Sequence, residues 1–226
     1  MNKIAHHHSA CSIIVNPTND LILIGEYDQG YPRVSERGKI NLVGGNYIQG
    51  DLSPKHTFER EIREEFTTEK SSKELETIVQ DLSDAQNEHL VEGDFATTEE
   101  IDYIRKSVVE NTKHYQDFLI GISDGRGNPI SVVTSVFKTV LPEDFFVLVK
   151  SLLDSGKSIN QEGLSRILNF EDIISLKVAA AYGAGKILSR YLGQKIPTYE
   201  NIPCENLGRP LDSYKDYEKI FRYTHH

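Results

Sequence analysis

Residues 44–67, GGNYIQGDLSPKHTFEREIREEFT, are the stretch that decides the fold. They contain a helix start, because Ser53 is a favourable N-cap and Pro54 suits the first helical position, where no backbone N–H is needed. Bulky apolar side chains then recur every four residues, at Phe58, Ile62 and Phe66. This spacing gives the helix one apolar face that packs on a core. The stretch therefore predicts a strand that stops at a glycine pair, a loop and an amphipathic helix.

The same helix has a second, acidic face. Glu61, Glu64 and Glu65 are spaced so that their side chains come together on the helix surface. A solvated acidic face, partly neutralised by Arg60, is the simplest explanation, because charge runs on helices are usually solvated. The alternative is a site for Mg²⁺ or Mn²⁺. Hard oxygen ligands at this density suit these ions, which bind through few carboxylates, several waters and a substrate phosphate.

These residues carry a family resemblance. Residues 44–67 resemble the Nudix box, G-x5-E-x7-R-E-U-x-E-E-x-G-U with U an aliphatic residue, and they match its central R-E-U-x-E-E without a substitution. Two kinds of departure affect the loop and the helix end. The spacing from Gly45 to Arg60 is one residue longer than the pattern allows. Asp51 stands in for the early glutamate, and Thr67 replaces the closing glycine.

The resemblance implies an α/β fold, a Nudix-like α/β/α sandwich with a mixed sheet. It covers residues 10–67 well and 115–192 only in outline. We expect residues 1–226 to form one elaborated domain, with a helical insertion at about 70–115 and an irregular C-terminal extension at about 193–226.

The other elements follow from apolar patterning and turn residues. β-branched and aromatic runs predict strands over 11–15, 21–27, 39–43, 118–122, 130–141 and 164–170. Helical spacing predicts two helices within 70–115 and further helices over 142–153 and 173–192. Gly193 is the expected C-cap of the last helix.

The resemblance also implies an activity: divalent-metal-dependent hydrolysis of a pyrophosphate bond in a nucleoside diphosphate linked to another group. That group is open among a sugar, ADP-ribose or NAD, a dinucleoside polyphosphate, an NTP and capped RNA. Glu64 and Glu65 are then the ligands of Mg²⁺ or Mn²⁺, and Glu61 is a further ligand or the base that orients water. The carbonyl of Gly44 completes the ligand set, and Arg60 holds the glutamates in place through ion pairs.

Residues outside the box give weaker candidates. Glu162 is a candidate catalytic base on a later loop, although an exposed loop glutamate is an equally simple explanation. Arg33 and Arg37 are candidates for phosphate contacts, with solvated loop arginines as the simpler alternative. Three aromatic side chains are candidates for stacking on a base, although aromatic residues beside strands more often belong to a core: Tyr27, Tyr31 and Phe137.

Composition limits the classes of partner. The chain has 34 acidic and 25 basic side chains and a net charge of −9, which argues against non-specific nucleic-acid binding. No apolar run reaches the roughly 20 residues of a membrane span. Cys11 and Cys204 resemble no disulfide framework. We therefore expect a cytoplasmic protein. The Nudix resemblance implies a small-molecule nucleotide as its partner, and a homodimer stays open because dimers are common among Nudix proteins. The histidines at 6–8 are expected in a flexible terminus, since alternating strand side chains cannot easily share one ion.

A non-catalytic Nudix-fold module that binds or senses a ligand is the alternative function. The longer loop, Asp51 and Thr67 favour it. The retained glutamates favour the hydrolase, because closely spaced carboxylates repel one another and a module without catalysis has no chemical need of them.

Overall fold

The structure, a computed structural model, describes residues 5–31, 37–66, 94–123, 129–160, 163–175, 180–193 and 209–210. The strands are β1 (Ala5–Val15), β2 (Leu21–Glu26), β3 (Ile40–Asn41), β4 (Val43–Asn46), β5 (Thr112–Ser123), β6 (Pro129–Val140), β7 (Leu164–Asn169) and β8 (Arg209–Pro210). The helices are α1 (Pro54–Glu65), α2 (Thr98–Glu110), α3 (Glu143–Asp154), α4 (Phe170–Ile174) and α5 (Tyr182–Leu192). No helix in these ranges is long and apolar enough to cross a membrane.

All eight strands belong to one mixed sheet. Its main path runs β3-β2-β1-β6-β5-β8, while β4 pairs with β1 and β7 pairs with β2. Strands β1 and β6 are parallel, in register from Ala5 opposite Ile130 to Val15 opposite Val140, and the other pairs are antiparallel. Strand β1 is therefore interior, with β6 along one edge and β2 and β4 along the other.

The sheet has a hydrophobic cluster on each face, because successive strand residues point to opposite sides. Ile13 and Val15 of β1 pack in one cluster with α4 and α5. Ala10 and Ile14 pack in the other cluster with α1, α2 and α3. Helices cover both faces of a mixed sheet, so the expected α/β/α sandwich is confirmed.

Helix α1 forms as the sequence predicts. The Ser53 hydroxyl accepts the N–H of His56 at 3.1 Å, and Pro54 is the first helical residue. The apolar face of the helix is fully buried, with 0% exposure at Phe58, Ile62 and Phe66. Local capping and burial of this face therefore fix both the start of the helix and its rotation.

Four boundaries differ from prediction, each because of a long-range partner. The histidines at 6–8 are not in a flexible terminus, since β1 begins at Ala5 and pairs with β6 there. The expected strand 39–43 is two short strands, and the glycine pair lies inside β4, where it pairs with β1. Strand β5 starts at Thr112, so the end of the expected helical insertion is strand. The expected helix 173–192 is replaced by α4 and α5, with Ala180 bridged to Ile40 before α5.

Of the remaining predicted elements, most are confirmed and one lies outside the described residues. Helices α2 and α3, strand β7 and the αL C-cap at Gly193 (φ 65°) agree with the predictions. Within the C-terminal extension, Arg209–Pro210 pair with β5. The first helix expected within 70–115 lies outside the described residues.

Candidate active site

The glycine pair of β4 brings α1 close to the sheet. Gly44 has φ +138°, and a Cβ there would lie 2.5 Å from the Cα of Cys11 and overlap the carbonyl of Ala10. A Cβ on Gly45 would overlap the Glu61 side chain, 2.6 Å from its carboxyl carbon. Only glycine allows β4 to approach β1 and a carboxylate of α1 at once.

Two buried carboxylates of α1 meet this glycine pair. Glu61 lies against Gly45, and Oε1 of Glu65 accepts the backbone N–H of Gly44. Each of the two glutamates is only 7% exposed. The other oxygen of Glu65, Oε2, accepts Nδ2–H of Asn160 at 3.1 Å. Residues four apart on one helix thus contact two consecutive residues of a strand.

The Arg60 guanidinium joins the box loop to the helix. Its Nη1 contacts Oε2 of Glu64 at 2.6 Å, and its Nη2 contacts Oε1 of Glu61 at 2.8 Å. On the loop side, Nη2 lies 3.1 Å from Oδ2 of Asp51 and donates to the carbonyl of Asn46 at 2.6 Å. These contacts agree with the interpretation that Arg60 holds the glutamates in place.

The charges of this cluster are strongly perturbed. Burial disfavours the ionised form of Asp51, but hydrogen bonds from Arg60 and from the backbone N–H of Ile48 outweigh it and hold the pKa of Asp51 below its usual range. Burial likewise opposes the charge on Arg60, yet its hydrogen bond to Asp51 and the charges of Glu61 and Glu64 raise the pKa of the guanidinium. One guanidinium therefore faces several carboxylates.

Cys11 lies on β1 beside this cluster. Burial, with a further contribution from the charge of Glu65, raises the pKa of the Cys11 thiol to about 12. A thiol with this pKa is protonated at neutral pH, so Cys11 is not an activated nucleophile.

A cavity of about 350 Å³ opens between the sheet and α5 next to Glu65, within the size range of ligand pockets. Glycine and alanine provide its room, and polar side chains converge on it. The polar lining residues are Ser9, Glu26, Tyr27, Tyr31, Asn41, Asn46, Glu65, Thr134 and Asn160. In the described ranges its lining includes no lysine or arginine, and the Glu26 carboxylate pairs with Arg166.

The structure places the residues predicted to contact substrate in different surroundings. Tyr27 and Tyr31 both line the cavity, with ring centroids 4.1 Å apart, and the Tyr27 hydroxyl accepts Nδ2–H of Asn41 at 2.8 Å. Arg37 donates to the carbonyl of Tyr31 at 2.7 Å and so supports that loop. Phe137 is wrong as a stacking candidate, because it is 3% exposed and stacks on a core phenylalanine of α1. Arg33 and Glu162 lie outside the described residues.

The strand with its glycine pair, the loop and the acidic helix stand together at the cavity, within a sheet covered by helices on both faces. The fold is an α/β/α sandwich around one mixed sheet. No family model matches the sequence, and no curated protein matches it.

Among solved structures, those similar to this chain include Nudix proteins of low sequence identity. One is the MutT protein from Methanosarcina mazei Go1, with 14% identity, 85% of this chain and 97% of that chain covered, and a TM-score of 0.43. A second is a C. elegans Ap4A hydrolase binary complex, with 12% identity, 83% and 96% coverage and a TM-score of 0.42. A third is the Nudix domain of Shewanella oneidensis NrtR complexed with ADP ribose. Its identity is 12%, the match covers 85% of this chain and 89% of that chain, and the TM-score is 0.40.

The arrangement of donors decides what the Nudix-like site can hold. Within the described ranges, no group of three or more His, Cys, Asp or Glu side chains is placed to hold a metal ion. Glu61 and Glu65 share one side of α1, against the glycine pair, and Arg60 contacts both Glu61 and Glu64. Two carboxylates with room for a ligand fit Mg²⁺, which usually takes one or two carboxylates together with water and substrate phosphates. The ligand roles of Glu61, Glu64, Glu65 and the Gly44 carbonyl stay predictions.

Several residues of the site escaped sequence reasoning. Asn160 contacts Glu65 from a loop nearly a hundred residues later in the chain. Ser9 and Thr134 line the cavity with their hydroxyls 2.7 Å apart, across the β1–β6 pair. No motif marks these residues. Polar residues recur along both strands, so no sequence signal distinguished Ser9 and Thr134.

Proposed function

We propose that this chain is a divalent-metal-dependent hydrolase of the Nudix type, which cleaves a pyrophosphate bond in a nucleoside diphosphate linked to another group. The observation that carries the proposal is the pair of buried carboxylates, Glu61 and Glu65, held against a glycine pair beside a cavity. Burying two like charges on one helix is unfavourable unless positive charge compensates them, and a divalent cation would add to the compensation that Arg60 gives Glu61.

The electrostatics of the cavity support a metal-bound phosphate substrate. The carboxylates of Glu26 and Glu65 line it, that of Glu26 pairs with Arg166, and no lysine or arginine lines the cavity in the described ranges. A diphosphate is itself anionic and is repelled by the Glu65 carboxylate. A divalent cation between the two reverses the local sign of the charge, so that the Glu65 side of the cavity then binds a negative substrate.

In the proposed reaction water adds to one phosphorus, the P–O bond of the anhydride breaks, and the bridging oxygen leaves with the other phosphate. A bound Mg²⁺ or Mn²⁺ supplies charge neutralisation on the diphosphate and a lowered pKa of the attacking water. Glu61 and Glu65 hold the ion, with Glu64 and the Gly44 carbonyl as further ligands. Glu61 or Glu162 takes the proton of the water, and Arg60 keeps the carboxylates in position.

The aromatic part of the cavity suits the nucleoside. Tyr27 and Tyr31 present a pair of rings at the cavity wall, and flat aromatic rings stack on nucleobases. The hydrogen bond from Asn41 to the Tyr27 hydroxyl fixes one of these rings. We therefore assign the tyrosines to the base. Arg33 and Arg37 keep their proposed roles near the phosphates, with Arg37 acting through the Tyr31 loop.

A substrate panel tests the proposal. The full chain is incubated with ADP-ribose, NAD, diadenosine polyphosphates, nucleotide sugars, nucleoside triphosphates and capped RNA, each with Mg²⁺, with Mn²⁺ and with EDTA. Products are separated by ion-exchange chromatography, and ³¹P NMR identifies the bond cleaved. We expect a nucleoside monophosphate or inorganic phosphate from at least one compound, and no product in EDTA.

The non-catalytic module makes the opposite prediction for the same panel. Titration calorimetry would then show binding of a panel compound, while chromatography shows no product with either cation. Turnover that continues at the same rate in EDTA would overturn the metal-dependent mechanism.

A further inference from the structure

Asn160 is a buried polar residue of the cavity that lies far from the box in sequence. It is 3% exposed and follows α3, in the connection to β7. Its Nδ2–H is donated to Oε2 of Glu65, while Oε1 of Glu65 accepts the N–H of Gly44. Donors from two separate parts of the chain therefore hold both oxygens of one carboxylate.

The chemistry of the pair fixes the orientation of the amide. An ionised carboxylate only accepts hydrogen bonds, so the amide must present its NH₂ group to Glu65 and not its carbonyl. Both donors are neutral, so these two hydrogen bonds orient the negative charge of Glu65 without cancelling it. This differs from Glu64, whose oxygen is 2.6 Å from a guanidinium.

The backbone before Asn160 is itself fixed. Ser158 donates its N–H to the carbonyl of Asp94 at 2.7 Å and accepts the N–H of Ala96 at 2.9 Å, which forms a bridge with the segment before α2. Ile159 is fully buried in the core. Asn160 therefore follows two anchored residues, and its side chain is delivered to Glu65 with little freedom.

We propose that Asn160 is a positioning residue, which holds the Glu65 carboxylate in the orientation that binds the divalent cation. The inference rests on the proposed function, because it assigns Glu65 to that ion. Without the amide, the carboxylate loses the donor that holds its Oε2 in place. Loss of an outer partner of a metal ligand typically weakens metal binding about 10- to 100-fold.

Manganese binding without nucleotide tests this role. The full chain, Asn160→Leu and the control Asn111→Leu are titrated with Mn²⁺, and electron paramagnetic resonance measures the free ion. Leucine keeps the size of asparagine and removes its donor. We expect Asn160→Leu to raise the Mn²⁺ Kd about 10- to 100-fold. Asn111→Leu removes an exposed amide at the end of α2 that bonds the carbonyl of Ser107, so its Kd should match that of the parent chain.

A second variant gives a signature that a purely structural role lacks. Asn160→Asp keeps the shape of the side chain but places a carboxylate against Glu65. Its Tm should fall in EDTA because of like-charge repulsion, and Mn²⁺ should raise its Tm by more than it raises that of the parent chain. This variant also carries the test if Asn160→Leu does not fold.

The results separate the two proposals. If the parent chain binds Mn²⁺ and both Asn160 variants show the parent response to the ion, the positioning role is wrong and the proposed function stands. If the parent chain binds no Mn²⁺ at millimolar concentration, the metal-dependent function itself fails, and the role of Asn160 fails with it.

Discussion

The carboxylates on the two sides of α1, one facing the loop before the helix and one facing the sheet, have different partners. On the loop side, Asp51 and Glu64 are compensated by the full positive charge of Arg60. On the sheet side, Arg60 also contacts Glu61, whereas both oxygens of Glu65 accept neutral N–H donors, from Gly44 and Asn160. An ion pair cancels charge, whereas neutral donors orient it and leave it to act on a cation. The loop side is thus built for rigidity and the sheet side for binding, and this difference can be tested residue by residue.

The largest effect is expected on the sheet side, from Glu65→Gln. The amide keeps the shape of the side chain but removes the charge that holds the cation. We expect the rate of pyrophosphate hydrolysis to fall about 1000-fold, which is the upper range for loss of one electrostatic group in an active site. Steady-state kinetics on the panel substrate measures this fall.

Glu59→Gln is the matched control for that variant. It makes the same change on the same helix, where Glu59 contacts only exposed Lys55 at 3.5 Å among its described ion pairs. Its rate should remain within about twofold of the parent, as expected for a surface ion pair. Equal losses in the two variants would refute the distinction between the two sides.

The next effect is expected on the loop side, from Arg60→Met. Removing the guanidinium leaves the Asp51 side chain, which is 2% exposed, without its charged partner. We expect the free energy of unfolding to fall by about 3 kcal/mol, as when one member of a buried ion pair is lost. Urea unfolding measures it. Arg63→Met, an exposed change on the same helix, should stay within about 0.5 kcal/mol of the parent.

The pH dependence of stability sharpens the same prediction. The pKa of Asp51 is lower in the folded chain than the unfolded value near 3.9, so Asp51 stabilises the fold above that value. This contribution disappears as the pH falls through the folded pKa. In Arg60→Met, burial still raises the pKa of Asp51 but the guanidinium no longer lowers it. Ionised Asp51 then contributes less stability, so acidification below about pH 4 should destabilise the variant less than the parent. Urea midpoints between pH 3 and pH 7 compare them, and parallel pH curves would contradict this account.

A smaller effect is expected from Gly45→Ala. The new methyl group overlaps the Glu61 carboxylate and displaces it from its place against the glycine pair. Mn²⁺ binding should weaken about tenfold, within the range for a displaced metal partner. Gly183→Ala is the control for Mn²⁺ binding, because a Cβ there contacts nothing within 4 Å. Unchanged Mn²⁺ affinity in Gly45→Ala would remove Glu61 from the ligand set.

The smallest effect is expected at the C-terminal end of α1. Arg105 of α2 donates to the carbonyl of Arg63 at 2.7 Å and to that of Phe66, so it caps the helix where the box pattern has a glycine and this chain has Thr67. Arg105→Met should lower the free energy of unfolding by about 1 kcal/mol, since two helix-end carbonyls lose a charged donor. Lys106→Met, an exposed neighbour on α2, should change it less. Equal changes would show that the cap is not stabilising.

Elements that depend on nearby residues could be predicted from the sequence, whereas elements that depend on distant partners could not. The N-cap, proline and apolar spacing of α1 act within a few residues, so the helix and its buried face were predictable. The N-terminal half of β1 was not, because its order depends on a partner strand more than a hundred residues away. Asn160 was missed for the same reason, since its role comes from a tertiary contact and no spacing rule reports it.

The parallel pairing of β1 with β6 also determines when the site can form during folding. Ser9 and Thr134, which face each other across these strands, are 125 residues apart in the chain. Closing so long a loop costs entropy before any contact repays it, and such pairings form slowly. During synthesis the glycine pair of β4 and helix α1 therefore leave the ribosome long before β6, the strand that contributes Thr134 to the cavity wall. A nascent chain stalled before residue 129 should carry the whole box and still lack a formed pocket.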